Sequence, residues 1–179
     1  MATRYVSFDP AAEINGESIR SVLAAFQILQ QGRRLLEQHG LPAEPSAGQW
    51  YPMQSWLNVL GDLETYYGAD TLYHVGLQVV HNSVFPPHLA SLPAAMASLD
   101  TAYQTNVRGR HMGYYRVENQ QERQLHVRCL TPNPIEFERG IIMGLARRFR
   151  PLDSADVAVT PEPTPTDEST HLKLLRVNW

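Results

Sequence analysis

The sequence predicts an α+β fold, a layer of helices followed by an antiparallel sheet with helices packed on one face. Three observations carry this. Apolar residues recur at helical spacing from residue 17 to 103, the period drops to two after Gly109, and a last helical pattern over residues 134 to 149 lies between two pairs of strand-like segments. With 179 residues the chain supports one well-buried core, so 1–179 reads as a single domain with a helical part over about 1–105 and a sheet-plus-helix part over about 106–179.

Each element has a local reason. Residues 17 to 38 place Ile19, Val22, Leu23, Phe26, Leu29 and Leu36 on one face, and "EQHGLP" supplies a glycine stop and a proline. After the loop "PAEPSAGQWYP", Trp56, Val59, Leu60, Leu63, Tyr66 and Tyr67 form a second stripe that Gly68 ends. Residues 70 to 83 align Leu72, Val75, Gly76, Val79 and Val80, and "VFPPHL" breaks that helix, because Pro87 pushes its predecessor out of the helical region. A fourth helix starts near Pro93 and buries Leu92, Ala95, Met96, Leu99, Ala102 and Tyr103.

Beyond Gly109, "MGYYRV" and "QLHVRCL" flank "ENQQER", and Leu125, Val127 and Cys129 alternate with Gln124, His126 and Arg128, the pattern of a hairpin with one wet face. The helix of residues 134 to 149 carries Phe137, Ile141, Leu145 and Phe149 along one stripe. "ADVAVT" and "HLKLLRVNW" are the closing strands, with Leu175, Val177 and Trp179 on one face. The proline-rich "PEPTPTDES" between them reads as an exposed loop without ladder pairing.

Composition excludes several function classes. A net charge of -3 with scattered arginines and no lysine-rich run gives no footprint for nucleic acid. A single cysteine, Cys129, forbids an internal disulfide and a site of several thiolates. No apolar h-region opens the chain and no run approaches the roughly 20 apolar residues of a membrane helix, so the expectation is a soluble, cytoplasmic protein without a membrane span.

Few residues suggest chemistry. Cys129 falls on the apolar side of its strand and reads as a buried, inert thiol. Glu136 and Glu138 stand in the first turn of the last helix, where carboxylates favour the helix dipole without any acid/base role. His74 and His81 lie seven apart on a polar helix face, too far for the i, i+4 pair that grips zinc. No phosphate-cradling glycine series and no catalytic constellation is present, so the protein reads as a non-enzyme.

Gly140 and Gly144, one turn apart with Ala146 near them, are the exception. A helix interior loses about 1 kcal/mol per glycine relative to alanine, so space beside this helix must matter, either for close packing on the sheet or for a flat ligand. Trp50, Tyr51, Trp56, Tyr66, Tyr67 and Tyr73 gather near the second and third helices as core or as an aromatic cavity wall, and Tyr103, Tyr114 and Tyr115 could face the same space.

The element order, with "YYGADTLYHVG", "FPPHL", "RHMGYYRV", "CLTPNPIEFERGIIMGLARRF" and a terminal "VNW", resembles the superfamily that joins haem nitric oxide/oxygen-binding (H-NOX) domains with 4-vinyl reductase-like (V4R) small-molecule-binding domains, over about residues 17 to 179. In the haem branch an iron-ligating histidine precedes a proline-containing turn, which makes His74, ahead of Pro86 and Pro87, the position similar to a haem ligand. That branch grips the haem propionates with Tyr-x-Ser-x-Arg, where this chain has Cys129, Leu130, Thr131, Pro132 and Asn133. Loss of the tyrosine and arginine removes charge-assisted anchors. The zinc-assisted sensors of the V4R branch use more than one cysteine, which this chain lacks.

The expectation is a non-enzymatic small-molecule sensor or adaptor with a pocket between helices and sheet, taking a small apolar or planar ligand and signalling through a protein partner or homodimer. His74, Tyr73, Tyr114, Thr131, Asn133, Gly140 and Gly144 are its candidate cofactor- or ligand-binding residues, with no metal site. The alternatives are a haem-based NO/O2 sensor using His74 and a ligand-free dimerisation module. A tetrapyrrole-handling activity rests on family analogy alone.

Overall fold

A computed structural model describes residues 4–25, 29–83, 85, 89–154, 156–164 and 171–179. Its elements are β1 (Glu13–Asn15), α1 (Gly16–Ala25), α2 (Leu29–Gln38), β2 (Trp50–Pro52), α3 (Met53–Tyr67), α4 (Ala69–Asn82), α5 (Leu92–Ala97), α6 (Leu99–Asn106), β3 (Val107–Arg108), β4 (Tyr114–Gln121), β5 (Gln124–Leu130), α7 (Ile135–Arg148), β6 (Ala158–Glu162) and β7 (Leu172–Asn178). Helices first, then an antiparallel sheet of order β4-β5-β7-β6, is the expected α+β arrangement. A second small sheet, β2-β1-β3, was not foreseen. Its strands have two or three residues, too few for alternation to register.

That small sheet fastens the helical part at one point, since Ile14 pairs with Tyr51 on one side and Val107 on the other. Asn15 then caps α1, its side-chain oxygen accepting from the Ser18 amide at 2.8 Å. The stretch read as one helix over residues 17 to 38 is described as α1 and α2, and Phe26 lies outside the described residues, as do Pro86 and Pro87. Gly68, at φ +86, turns the chain between α3 and α4, a conformation that a side chain would resist. Tyr66 and Tyr67, expected in the core stripe, are 59% and 43% exposed, because α3 outruns the core in its last turn. Tyr67 donates to Gln31 at the surface instead.

The fourth helix breaks in two at Ser98. Its hydroxyl donates to the Ala95 carbonyl at 2.8 Å, the local competition with the helix ladder that serine offers. Ala102, placed in the core by periodicity, is exposed as a result. The last hairpin also departs from expectation: β6 runs on to Glu162, with Pro161 opposite Leu175, although a proline-rich stretch was expected to stay unpaired. β6 is an edge strand, where a residue without an N–H is tolerated. Residues 165 to 169 of that loop lie outside the described residues.

One face of the large sheet buries Leu125, Val127, Cys129, Val159, Leu175 and Val177 under α7. A second apolar cluster, with Ile19, Leu36, Met53, Trp56, Leu60 and Leu72, holds the helical part together. Between them α4 and α7 meet backbone to backbone. A methyl group on Gly140 would overlap the Tyr73 carbonyl and stand 3.0 Å from the Gly76 Cα, one on Gly76 would stand 2.8 Å from the Ile141 nitrogen, and one on Gly144 would stand 2.8 Å from the Val80 Cβ. The glycines therefore admit a helix, α4, rather than the sheet or a flat ligand.

Candidate functional site

Where the two apolar clusters face each other, a cavity of about 470 Å³ remains. Its volume lies in the ordinary range for ligand pockets. Val22 of α1, Met53 and Trp56 at the start of α3, Leu99 of α6 and Phe137, Ile141 and Leu145 of α7 form an apolar interior, while Glu17, Ser18, Ser21, Ser83, Ser98 and Asn106 add polar groups. The α7 stripe expected to face the core supplies three of these walls, because its glycine side is already taken by α4.

The hydroxyls in the wall are mostly spent as donors. Ser21 donates to the Glu17 carbonyl, Ser83 to that of Val79, Ser98 to that of Ala95 and Tyr103 to that of Met112. Tyr115 donates to Glu138, which is fully buried behind the wall. Glu138 Oε1 also accepts from Thr131 Oγ1 at 2.5 Å and from Asn133 Nδ2 at 3.0 Å. Lys173 Nζ donates to the Thr131 carbonyl at 2.7 Å and lies 3.1 Å from its hydroxyl, so the ammonium, the hydroxyl and the carboxylate form a buried chain. Buried charges persist only when paired and bonded in this way.

Burial, and then the Glu138 charge, push the Tyr115 and Tyr103 phenols well above their ordinary value of 10.0. The same two causes raise the Cys129 thiol from 9.0, which fits the inert, fully buried cysteine expected. Burial lowers Lys173 below 10.5, against the pull of Glu138. Above about pH 10 an unfolded chain releases phenol protons that the folded chain keeps, so the native state binds more protons and stability falls as pH rises. Lys173 works in the opposite sense, but only up to 10.5. The unfolding free energy from urea titration is therefore expected to drop between about pH 10 and about pH 11, by up to about 1.4 kcal/mol per pH unit for each buried phenol, and the midpoint with it. A midpoint that stays level would show that the phenols are not buried as described.

Of the residues expected to bind a cofactor or ligand, only Asn133 lines the cavity. Thr131 is buried beneath it, holding Glu138. His74 stands on the exposed face of α4 with Nδ1 bonded to the Asp70 carbonyl, outside the cavity wall. Tyr73 lies under the Arg139 guanidinium, 4.4 Å from its ring centre. Tyr114 faces a separate groove with Arg110, His111 and His171, whereas Tyr103 and Tyr115 do reach the cavity. Gly140 and Gly144 are packed against α4. Of the early aromatics only Trp56 is in the wall. Glu138 and Lys173 were missed. A carboxylate in a first helical turn and a lysine in a strand look like surface groups, and no sequence signal separates these two from exposed ones.

The wall does not fit haem. Among the described residues, no histidine or cysteine lines the cavity to ligate iron, and no arginine or lysine to pair with propionates. The donors on offer are the Met53 thioether, the Glu17 carboxylate at an exposed position on α1 and two phenols. A phenol must lose its proton to bind iron strongly, and both phenols here are held protonated.

No protein-family model matches the sequence, and no curated protein matches it. Solved structures do match. A single-site variant of Tt H-NOX superposes with a TM-score of 0.69 at 12% identity, over 92% of this chain and 93% of that one. An oxygen-binding H-NOX domain related to soluble guanylate cyclases, in its oxygen complex, gives 0.67 at 12% identity over 91% of each chain. A triple mutant of an H-NOX protein from S. oneidensis in the Fe(II) ligation state gives 0.64 at 15% identity, over 92% of this chain and 95% of that one. At such identities the likeness is one of architecture, and by that measure this chain has an H-NOX-like fold.

Proposed function

We propose that this chain is a non-enzymatic sensor or adaptor domain that takes a small molecule into the cavity between its helical part and its sheet and signals through protein–protein contacts. The observation that supports this reading is where the cavity lies. Its wall draws Val22, Met53 and Trp56 from one apolar cluster and Leu99, Tyr115 and Leu145 from the other, with α7 contributing to both. An occupant would therefore bear on the contact between the two parts. It can shift their arrangement only by binding one arrangement more tightly than another.

Native mass spectrometry with an absorption spectrum, on protein expressed with ample haem, tests the reading. A bound small-molecule mass without a Soret band is expected, and Ala102→Trp, which fills the wall from an exposed position on α6, should return an apo mass. An apo mass at dimer size in both proteins would overturn it in favour of a ligand-free dimerisation module. A Soret band abolished by His74→Ala would instead favour a haem-based gas sensor, the reading that the fold neighbours suggest and the cavity wall opposes.

A further inference from the structure

Two side chains in the cavity wall are more than nine-tenths buried and still hold an unused polar group. Trp56 is 2% exposed, and its indole N–H has no partner among the described residues. Asn133 is 8% exposed; its amide nitrogen is committed to Glu138, an acceptor that fixes which way the amide points, and its carbonyl oxygen has no partner among the described residues. Neither atom is among the fully enclosed polar atoms left without a partner, so each remains reachable and would exchange water for a hydrogen bond from an occupant of the cavity. Both belong to the wall of the same mainly apolar cavity.

The geometry points to an uncharged, mainly apolar ligand that carries one hydrogen-bond acceptor for Trp56 and one donor for Asn133, the chemistry of a lactam or amide on an aromatic or aliphatic body. This rests on the cavity being a ligand pocket and adds what it selects. An anion is disfavoured on two counts: no basic side chain lines the wall among the described residues, and the Glu138 carboxylate lies just behind it. A fully apolar molecule would fill the volume and leave both polar groups without partners, the mismatch by which sites built for hydrogen bonding reject analogues.

Three probes of similar size test it by titration calorimetry on the full chain: the neutral lactam 2-quinolinone, naphthalene and 2-naphthoate. The expected order is 2-quinolinone about tenfold or more tighter than naphthalene, with 2-naphthoate weakest. Trp56→Phe keeps an aromatic ring and removes the N–H, so it should bring the ratio of lactam to naphthalene affinity down to about one. Retained far-UV circular dichroism and a cooperative thermal melt show that the variant is folded. In an ¹⁵N-labelled sample, the indole N–H resonance that this variant lacks should move downfield with 2-quinolinone and not with naphthalene. Equal affinities for lactam and hydrocarbon, or tight binding of the naphthoate, would overturn the inference and leave the pocket standing. Binding of none of the three would overturn the pocket itself.

Discussion

Gly140→Ala is expected to lower stability by about 2–3 kcal/mol, or ~4–12 °C in Tm for a chain of this size. The added methyl would overlap the Tyr73 carbonyl oxygen and crowd the Gly76 Cα at 3.0 Å. Backbone atoms of a packed helix cannot swing aside as a side-chain tip can, so α4 and α7 would have to separate. Gly61 in α3 supplies the control. A methyl there would meet the Tyr5 ring edge at 3.7 Å and the Arg4 Cβ at 3.8 Å, both ordinary contacts, so Gly61→Ala should raise stability by about 0.5–1 kcal/mol through the better helix propensity of alanine. Thermal melts of the two variants should move in opposite directions. If Gly140→Ala melted with the parent chain, the close crossing of α4 and α7 would be refuted.

Glu138→Leu is expected to be costlier, about 3–5 kcal/mol in urea unfolding. The substitution strands three donors at once, the Tyr115 hydroxyl, the Thr131 hydroxyl and the Asn133 amide, and leaves the Lys173 ammonium buried without its counter-charge. Much of that loss comes from the orphaned ammonium rather than from the carboxylate itself. Combining Glu138→Leu with Lys173→Met should therefore recover a substantial part of the stability, since removing both of the charges that Thr131 bridges leaves no ammonium without a counter-charge. A loss below about 1 kcal/mol for the single variant, or no recovery in the double, would show that the two charges are not coupled.

Both predictions concern the floor and flank of the cavity, and they show how far the sequence could be read. The strand alternation of Leu125, Val127 and Cys129 placed β5 correctly, and Phe137, Ile141 and Leu145 at helical spacing placed the apolar face of α7. The same helix carried Gly140 and Gly144, which announced a close neighbour without naming it, since the partner α4 lies some sixty residues earlier and only the fold brings it there. Glu138 illustrates the limit most clearly. In the sequence it is an acidic residue in a first helical turn like Glu136; in the fold one is buried in a network and the other pairs with Arg139 at the surface of the same helix.

By itself, then, the sequence determined the order and type of most elements, the α+β class and the resemblance that the fold bears out, because periodicity and turn residues act over a few neighbours and do not depend on the rest of the chain. Tertiary structure alone decided where the cavity lies, that Trp56 and Asn133 share it, and that His74 stays outside. A cavity is the volume that packed elements fail to fill. Its wall takes residues from Ile14 to Leu145, and no local pattern records a gap between surfaces so distant along the chain.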